Sequence, residues 1–397
     1  MDNMVSGAHP VKQVPHRIYA DHAATTPVTD SVRAAMEPYL AECFGNASAV
    51  HREGREASRA VFAARKRCAD ILGCLPDELI FTSGGTESDN LAIKGNAFAH
   101  GLRGHILTTA IEHHAVLNSA RFCSSLGMTS DTVLPEADGI VSPDAFAAAI
   151  REDTVLCGCM LANNEIGTIQ PIKEIADAVH RKGIPMFCDA VQGMGQIPVS
   201  VSVLGADLLS LSGHKIGAPK GVGLLYIRRG TPITPLLDGG GQEMGLRAGT
   251  ENVAGIVGMA QALADAAAHT AETTAHLSVL SDALMSELIT IPHCVINGTT
   301  ERIKRLPGNV NVSFPGLDAE SMVLHLDRMG IAASAGSACT AGKTEPSHVL
   351  KALGHDDRRA TASLRFTLGY ENTMDDVRAI GAAVRQITEQ LYTMTGM

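Results

Sequence analysis

Tryptophan is absent from this sequence of 397 residues, and aromatic residues make up only 4% of it. We therefore expect a hydrophobic core built mainly from aliphatic side chains. Long hydrophobic runs are also missing. No stretch is long enough to span a bilayer, and residues 1–17 lack the continuous apolar segment of a secretory signal. These absences argue against a membrane-spanning protein and against a secretory signal.

Clustered positive charge is lacking as well. Lysine and arginine number 32 against 42 aspartate and glutamate residues, which gives a net charge of −10. We expect no direct binding of nucleic acid, because phosphate backbones require clustered Lys and Arg. A hydrophobic share of 45% and a charged share of 19% are typical of an ordinary soluble globular protein.

Cysteine occurs at nine positions, an odd number that does not fit the dense disulfide frameworks of small secreted domains. The sequence contains no CxxC pair, which is the spacing typical of a zinc site. Cys157 and Cys159 fall within an apolar run that is typical of a buried strand. We therefore predict a protein of the reducing cytoplasm without a metal site.

Short apolar runs bounded by turn residues alternate with helix-like stretches. The runs are ELIFTSGG, HILTTAIEHH, TVLCGCMLANNE, IPMFCDAVQ, DLLSLSGHK and VGLLYIRRG. This alternation predicts an α/β protein with a mostly parallel sheet flanked by helices. An alanine-rich helical stretch then connects to a smaller α+β region. We expect an N-terminal extension at 1–16, a large domain at 17–262 and a small C-terminal domain at 263–397.

Lys215 and Asp189 each follow an apolar run at a point where a strand should end. The carboxyl ends of parallel strands form the usual ligand-binding edge of an α/β sheet. If the two strands are neighbours, an amine and a carboxylate face a common ligand. Pyridoxal phosphate requires such a pair, because the amine binds it covalently and the carboxylate pairs with its pyridinium nitrogen. A plain ion pair is the alternative.

The stretch FTSGGTESDNLAIKG has the form of a strand, a glycine turn and a helix that begins near Thr86. Free N–H groups and the positive end of the helix dipole attract phosphate at such a place. The stretch has neither the lysine spacing of a Walker motif nor the pattern GxGxxG, so neither a nucleoside triphosphate nor a dinucleotide is favoured. An ordinary capped helix would have a similar sequence.

Cys339 lies in SAGSACTAGKTEP, where small residues favour a loop over a strand. Most free cysteines are inert fillers of a core. The other eight cysteines mostly occupy apolar or helical surroundings that suit that reading. We therefore expect Cys339 to be the reactive thiol.

Together these stretches resemble the cysteine desulfurases of the NifS/IscS-like group, class V aminotransferases of fold type I among the pyridoxal-phosphate enzymes. The resemblance runs from Tyr19 to Arg365. Its motifs, in the order of the family, are TSGGTESDNLAIKG, EHHAVL, NNEIGTIQPI, DAVQ, SLSGHK, GGGQE, AGTEN and GSACT. The family's fold implies a large cofactor-binding domain and a smaller C-terminal α+β domain that carries the Cys339 loop.

The resemblance also implies a role for each matching position. Lys215 would bind the cofactor covalently, Asp189 would pair with its pyridinium nitrogen, and His113 would stack on the ring and assist proton transfer. The other implied contacts are Gln192 with the phenolic oxygen, Gly85, Thr86, Ser212 and His214 with the phosphate, Thr250 with the phosphate from the partner subunit of a homodimer, Asn164 with cofactor and substrate, Arg365 with the substrate carboxylate, and Cys339 as the nucleophile that accepts sulfur.

The implied reaction converts L-cysteine to L-alanine and leaves its sulfur on Cys339 as a persulfide, which passes to an acceptor protein. Iron–sulfur scaffolds, tRNA thiolation and DNA phosphorothioation are all open as destinations. Two positions qualify the match. Met244 stands where family members often carry arginine, and His114 competes with His113 for the stacking role, although His113 directly follows Glu112 as the family pattern requires.

Other interpretations are open at this stage. A selenocysteine lyase or an aminotransferase of the same fold type would share most of these motifs, but an aminotransferase would not need Cys339. The chain could also be a catalytically idle scaffold, although the complete set of reactive residues argues against it. A metal enzyme that uses His22, His113 and His114 lacks the spaced set of ligands that such sites need.

Overall fold

The apolar runs of the sequence form strands in the computed structural model, which describes residues 17–336 and 346–395. The strands are β1 (Ile18–Tyr19), β2 (Leu79–Thr82), β3 (His105–Thr109), β4 (Thr129–Val133), β5 (Thr154–Gly158), β6 (Met186–Asp189), β7 (Leu208–Ser212), β8 (Gly223–Ile227), β9 (Val295–Ile296), β10 (Asn309–Ser313), β11 (Ile331–Ala332), β12 (Ser334–Ala335) and β13 (Ser363–Thr367). The predicted extension at 1–16 lies outside the described residues.

Helices separate most of these strands. They are α1 (Asp30–Met36), α2 (Pro38–Ala41), α3 (Arg52–Leu72), α4 (Gly85–Ala99), α5 (His114–Ser125), α6 (Pro143–Ala148), α7 (Ile172–His180), α8 (Val201–Leu204), α9 (Val253–Leu288), α10 (Ala319–Arg328), α11 (His348–Ala352), α12 (Asp357–Ala360) and α13 (Met374–Thr395). Several begin at a polar side chain that accepts a hydrogen bond from the first turn, as His113 does for α5 and Ser347 for α11.

Seven strands form the main sheet in the order β2-β8-β7-β6-β5-β3-β4. β8 runs antiparallel to both of its neighbours, and the other pairs are parallel. This confirms the mostly parallel sheet, and β6 and β7 are neighbours as Lys215 and Asp189 require. The edge strand β4 was missed. Only Val133 of its five residues is buried, so it has no hydrophobic run to reveal it.

Helices cover both faces of this sheet, and separate hydrophobic clusters pack on the two sides. Strands β2, β3, β6, β7 and β8 are buried along their whole length. A sheet buried on both faces needs continuous apolar runs rather than alternating ones, which is the pattern of the sequence. The close approach of β8 to the turn before α4 requires a small residue. A Cβ on Gly223 would lie 2.5 Å from the Cα of Gly84.

A second core lies around a four-stranded sheet in the order β12-β13-β10-β9. The 36-residue helix α9 joins the two cores, because Ile256 and Leu263 pack in the first and Leu277 and Leu288 in the second. This confirms the predicted connecting helix. The boundary predicted between 262 and 263 falls inside this unbroken helix and stays a prediction.

The N-terminal strand belongs to the second core rather than to the main sheet. β1 pairs in parallel with β11, which places Ile18 opposite Ile331. Within the two described ranges, none of the helices has the length and hydrophobicity needed to cross a membrane.

Candidate active site

A cavity of about 560 Å³ lies where the main sheet ends at the carboxyl termini of β6 and β7. Ten of the twelve predicted site residues line it, namely Gly85, Thr86, His113, Asn164, Asp189, Gln192, Ser212, His214, Lys215 and Arg365. Ala23 and Ala24, from the segment after β1, form another part of its wall. The cavity therefore gathers residues that are far apart in sequence.

Lys215 ends a short 3-10 turn, Gly213–Lys215, that follows β7 directly. The turn brings the side chain over the end of the sheet. Its Nζ donates hydrogen bonds to the backbone oxygens of Ala23 (2.5 Å) and Ala24 (2.8 Å). These contacts place a primary amine at the cavity wall, where it can react with a bound carbonyl compound.

Asp189 is the last residue of β6 and is 5% exposed. Its Oδ1 accepts a hydrogen bond from the Val191 N–H (3.0 Å). Burial raises the pKa of this carboxyl, whereas His113, the Val191 N–H and Lys215 act in the opposite direction. A buried carboxylate facing a cavity is stabilised by a cationic ligand atom such as a protonated ring nitrogen.

His113 caps α5, and its Nδ1 accepts a hydrogen bond from the Ala115 N–H (3.1 Å). In the neutral ring this contact puts the proton on Nε2. Burial lowers the pKa of His113, so the neutral form is favoured near pH 7. His114 is not among the cavity-lining residues and packs instead against His348, with ring centroids 4.5 Å apart. This placement favours His113 over His114 for the stacking role.

The start of α4 forms one end of the cavity. The N–H groups of the first turn, at Gly85, Thr86 and Glu87, have no acceptor within the helix. A Cβ on Gly85 would lie 2.9 Å from Val191 Cγ2 and 3.5 Å from Ser212 Cβ, so only glycine leaves room there. Such a helix start with a neighbouring hydroxyl is suited to binding a phosphate.

Two further side chains at this end come from the loop after β7. The Nδ1 of His214 is 3.1 Å from Thr25 Oγ1. Burial, Lys215 and Lys220 together lower the pKa of His214 to about 4, so its ring is neutral. Lys220 adds a positive charge that the sequence-based assignments did not include. We call the set Gly85, Thr86, Ser212, His214 and Lys220 the donor end.

Arg365 lies on β13 and is 3% exposed. Its Nη1 donates to the backbone oxygen of Asn164 (3.1 Å), and its Nη2 donates to Asp21 Oδ1 (2.9 Å). Among the described residues, Nε has no hydrogen-bond partner. The ion pair with Asp21 was missed, although Asp21 lies two residues after Tyr19, where the resemblance to the family begins. The ion pair with Asp21 fixes the orientation of the Arg365 guanidinium at the cavity wall.

Two buried acids beside Asp189 were also missed. Asp89 lies on the inner side of α4, and burial together with Asp189 raises its pKa. Burial raises the pKa of Glu112 to about 8, although its Oε1 accepts hydrogen bonds from Thr109 Oγ1 (2.6 Å) and the Met160 N–H (2.8 Å). Asp89 Oδ1 and Glu112 Oε2 have no partner within the described ranges. We call Asp189, Asp89 and Glu112 the acid end.

The two remaining predicted site residues are Thr250 and Cys339. Thr250 is exposed and does not line the cavity of its own chain. Its predicted role is to reach the phosphate of a partner subunit, and that role stays a prediction. Cys339 lies outside the described residues.

The cavity fits pyridoxal phosphate in its chemistry. The donor end suits a phosphate, Asp189 suits a protonated ring nitrogen, and Lys215 supplies the amine between them. Gln192 lies close to the same wall, where its Nε2 donates to the backbone oxygen of Ala23 (3.1 Å). In residues 17–336 and 346–395 no cluster of three His, Cys, Asp or Glu side chains could hold a metal ion.

The aminotransferase class-V family matches residues 18–380 of this chain. The cysteine desulfurase IscS of Dictyoglomus turgidum is 47% identical over 380 residues, which cover 95% of this chain and 96% of that protein. A solved NifS-like protein is 37% identical with a TM-score of 0.88, covering 94% of this chain and all of the other. A solved SspA in complex with cysteine is 36% identical, with a TM-score of 0.79, 90% of this chain covered and all of that one.

Proposed function

Because the chain belongs to the aminotransferase class-V family, as a pyridoxal-phosphate-dependent cysteine desulfurase, we propose that Lys215 and Cys339 are its two reactive side chains. Lys215 would bind the cofactor covalently and remove the α proton of the substrate. Cys339 takes the sulfur of L-cysteine. The overall reaction would be that of a sulfurtransferase which releases L-alanine and passes the sulfur to an acceptor protein.

Pyridoxal phosphate, when bound, supplies an electron-withdrawing ring that accepts the electron pair released at the substrate's Cα. The protein's part is to hold charges and protons. Asp189 would keep the ring nitrogen protonated, and the donor end would hold the phosphate. The Lys215 amine would remove the α proton. His113, neutral and with its proton on Nε2, would move a proton at the face of the ring.

Arg365 and Asn164 would orient the substrate. A guanidinium binds a carboxylate with two parallel N–H donors, which fixes both distance and direction. Arg365 is already oriented by Asp21 and by the backbone oxygen of Asn164, and its Nε faces no partner among the described residues. The related SspA was solved with cysteine, which supports an amino acid in this position.

The assignment of Cys339 as the nucleophile rests on the positions and the pKa values of the other cysteines. Eight of the nine cysteines are described, and none of these eight lines the cavity. Burial raises the pKa of seven of them, namely Cys68, Cys74, Cys123, Cys157, Cys159, Cys188 and Cys294. A thiol with a raised pKa is a poor nucleophile, since the thiolate is the reactive form. Cys43, the eighth described cysteine, does not line the cavity, so Cys339 is the thiol that we propose for sulfur transfer.

In the transfer step, the Cys339 thiolate forms an S–S bond with the substrate sulfur. The bond between that sulfur and the substrate carbon breaks, and the carbon keeps the electron pair. The carbon then takes a proton and becomes the methyl group of L-alanine. The enzyme thiol is oxidised to a persulfide while the carbon is reduced, so the step needs no external oxidant.

Cys339→Ser tests the assignment. We expect the variant to bind pyridoxal phosphate and to change its visible absorbance with L-cysteine, but to form neither L-alanine nor a persulfide. Mass spectrometry for an added sulfur atom and an L-alanine assay measure the outcome. Cys43→Ser is the matched control, because Cys43 is partly exposed and does not line the cavity. Normal L-alanine production by Cys339→Ser would refute the nucleophile and favour another reaction of this family.

The proposal extends to a homodimer in the cytoplasm. Thr250 is exposed and away from the cavity of its own chain, which supports a role across a subunit boundary. All eight described cysteines are free thiols, which supports a reducing compartment. The acceptor protein would be identified by trapping the Cys339 persulfide with bound partners.

A further inference from the structure

Glu165 is a buried acid that none of the steps above uses. It follows Asn164 in the NNEIG stretch after β5 and is 6% exposed. Its backbone N–H donates to Asn163 Oδ1 (2.8 Å), and its backbone oxygen accepts from Nδ2 of both Asn309 and Asn311 (3.1 Å each). The residue is therefore held within the loop after β5 on one side and tied to β10 of the second sheet on the other.

The carboxyl of Glu165 accepts a hydrogen bond from the Oγ of Ser347. Ser347 is 1% exposed and caps α11, because its Oγ also accepts from the Leu350 N–H (3.2 Å). The next residue, His348, lies 3.0 Å from the backbone oxygen of Glu112 through its Nε2. The beginning of α11 is thus fastened to the loops that border the cavity.

The same carboxyl lies next to the residue where the preceding described stretch ends. A Cβ on Gly336 would lie 3.7 Å from Glu165 Oε2 and 2.4 Å from Ser363 Oγ. The Gly336 N–H donates to the Ser363 oxygen (2.9 Å). Gly336 and Ser347 flank the part of the chain that contains Cys339, and Glu165 lies close to both.

Glu165 also interacts with Arg365, the residue proposed to bind the substrate carboxylate. Arg365 donates to the oxygen of Asn164, one residue earlier, and its charge interacts with the Glu165 carboxyl. A shift of Glu165 would therefore move Ser347 relative to Arg365. We propose that Glu165 is a positioning residue for sulfur transfer, which sets where the Cys339-bearing chain joins α11 relative to the bound substrate by accepting the Ser347 hydrogen bond.

This inference rests on the proposed role of Cys339. Burial raises the pKa of Glu165 to about 7, and Ser347 and Arg365 oppose that rise. Near neutral pH both forms of the carboxyl are populated, and each has an oxygen that accepts from Ser347. A glutamine has such an oxygen as well, so Glu165→Gln should keep the contact and Glu165→Ala should lose it.

The test separates substrate binding from sulfur transfer in the cofactor-loaded enzyme under single-turnover conditions. Rapid mixing with L-cysteine gives binding from visible absorbance, and quenched samples give the persulfide on Cys339 by mass. We expect Glu165→Ala to slow persulfide formation about tenfold to a hundredfold, the cost of a small misplacement of reacting groups. Binding should change by no more than about threefold, and Glu165→Gln should restore transfer to within about threefold of wild type.

Ser347→Ala removes the donor of the same hydrogen bond. We expect slow transfer there too, and its matched control is Ser142→Ala, which removes a serine cap from a different helix, α6. The Ser142 variant should transfer sulfur at the wild-type rate. This pair keeps the test decisive even if Glu165→Ala does not fold.

Three results would overturn the inference. They are wild-type transfer in Glu165→Ala or in Ser347→Ala, an equal loss of binding and transfer, and a Glu165→Gln variant as slow as Glu165→Ala. Failure of the proposed function would look different, because Cys339→Ser would then still produce L-alanine.

Discussion

The acid end and the donor end differ in the charge of the ligand group that each would stabilise. The acid end collects three buried carboxyls whose pKa values are all raised by burial. The donor end supplies the free N–H groups of α4, the hydroxyl of Ser212 and the charge of Lys220. The acid end is short of positive charge, whereas the donor end is short of negative charge.

A ligand with a cationic nitrogen at one end and a phosphate at the other satisfies both ends. The difference between the ends also predicts different consequences of mutation. The charge of Asp189, which would pair with the ring nitrogen, acts on the electrons that move in the reaction, so changing that charge should affect turnover. Contacts at the donor end act equally on all states of the bound cofactor, so changes there should affect affinity alone.

Asp189→Asn should produce the largest effect. The amide cannot balance a protonated ring nitrogen, so we expect turnover of L-cysteine to fall at least about a hundredfold. The visible absorbance of the bound cofactor should also respond differently to pH. Asp207→Asn is the matched control, because Asp207 precedes β7 at the opposite end of the strand and pairs with His180 and Arg228. If Asp189→Asn turned over normally, the acid end would have no electronic role.

Ser212→Ala should have a moderate effect of a different kind. One hydroxyl donor to an anionic group is lost, so the dissociation constant of pyridoxal phosphate should rise about tenfold. Turnover at saturating cofactor should stay near the wild-type value. Equilibrium titration of the cofactor-free protein measures the affinity, and Ser119→Ala, a buried serine of α5 outside the cavity, is the control. A loss of turnover without a loss of affinity would contradict the contrast between the ends.

Glu112→Gln should produce the smallest effect, on stability alone. Because the pKa of Glu112 is raised to about 8 in the folded protein, folding keeps a proton that the unfolded chain releases at lower pH. Its contribution to stability is therefore present at low pH and is lost as pH rises through about 8. Glutamine cannot ionise but can accept the same hydrogen bonds from Thr109 and Met160.

The melting temperature of Glu112→Gln should accordingly fall less than that of wild type between pH 6 and pH 8.5, by about 1 °C for each kcal/mol involved in a chain of 397 residues. Thermal melts at both pH values measure the difference. Identical pH dependence in the two proteins would show that Glu112 is ionised in the folded state.

Local sequence patterns were sufficient for much of this architecture. Continuous apolar runs revealed the central strands, and the polar residues after them marked the edge that holds Lys215 and Asp189. The glycine turn before α4 revealed the donor end. These features are local, because a strand, its turn and the next helix lie within one short stretch of chain.

The missed features depend on contacts between distant parts of the chain. Asp21 and Arg365 are 344 residues apart and meet only after the second core has formed. Asp89 looks like an ordinary polar helix residue until α4 packs on the sheet and buries it. The link between Glu165 and Ser347 is of the same kind, since 182 residues separate the partners. No periodicity or motif encodes such pairs.

The pairing of β1 with β11 has a consequence for synthesis on the ribosome. Ile18 must find Ile331, so an early strand has no partner until roughly 300 further residues have been translated. At about 5–20 residues per second, that delay is between about 15 s and about 1 min. During this time Ile18 and Ala20, both buried in the finished protein, are exposed to chaperones and proteases. Asp21 cannot form its ion pair until Arg365 has been translated. The ion pair between Asp21 and Arg365 is thus one of the last contacts of the nascent protein to form.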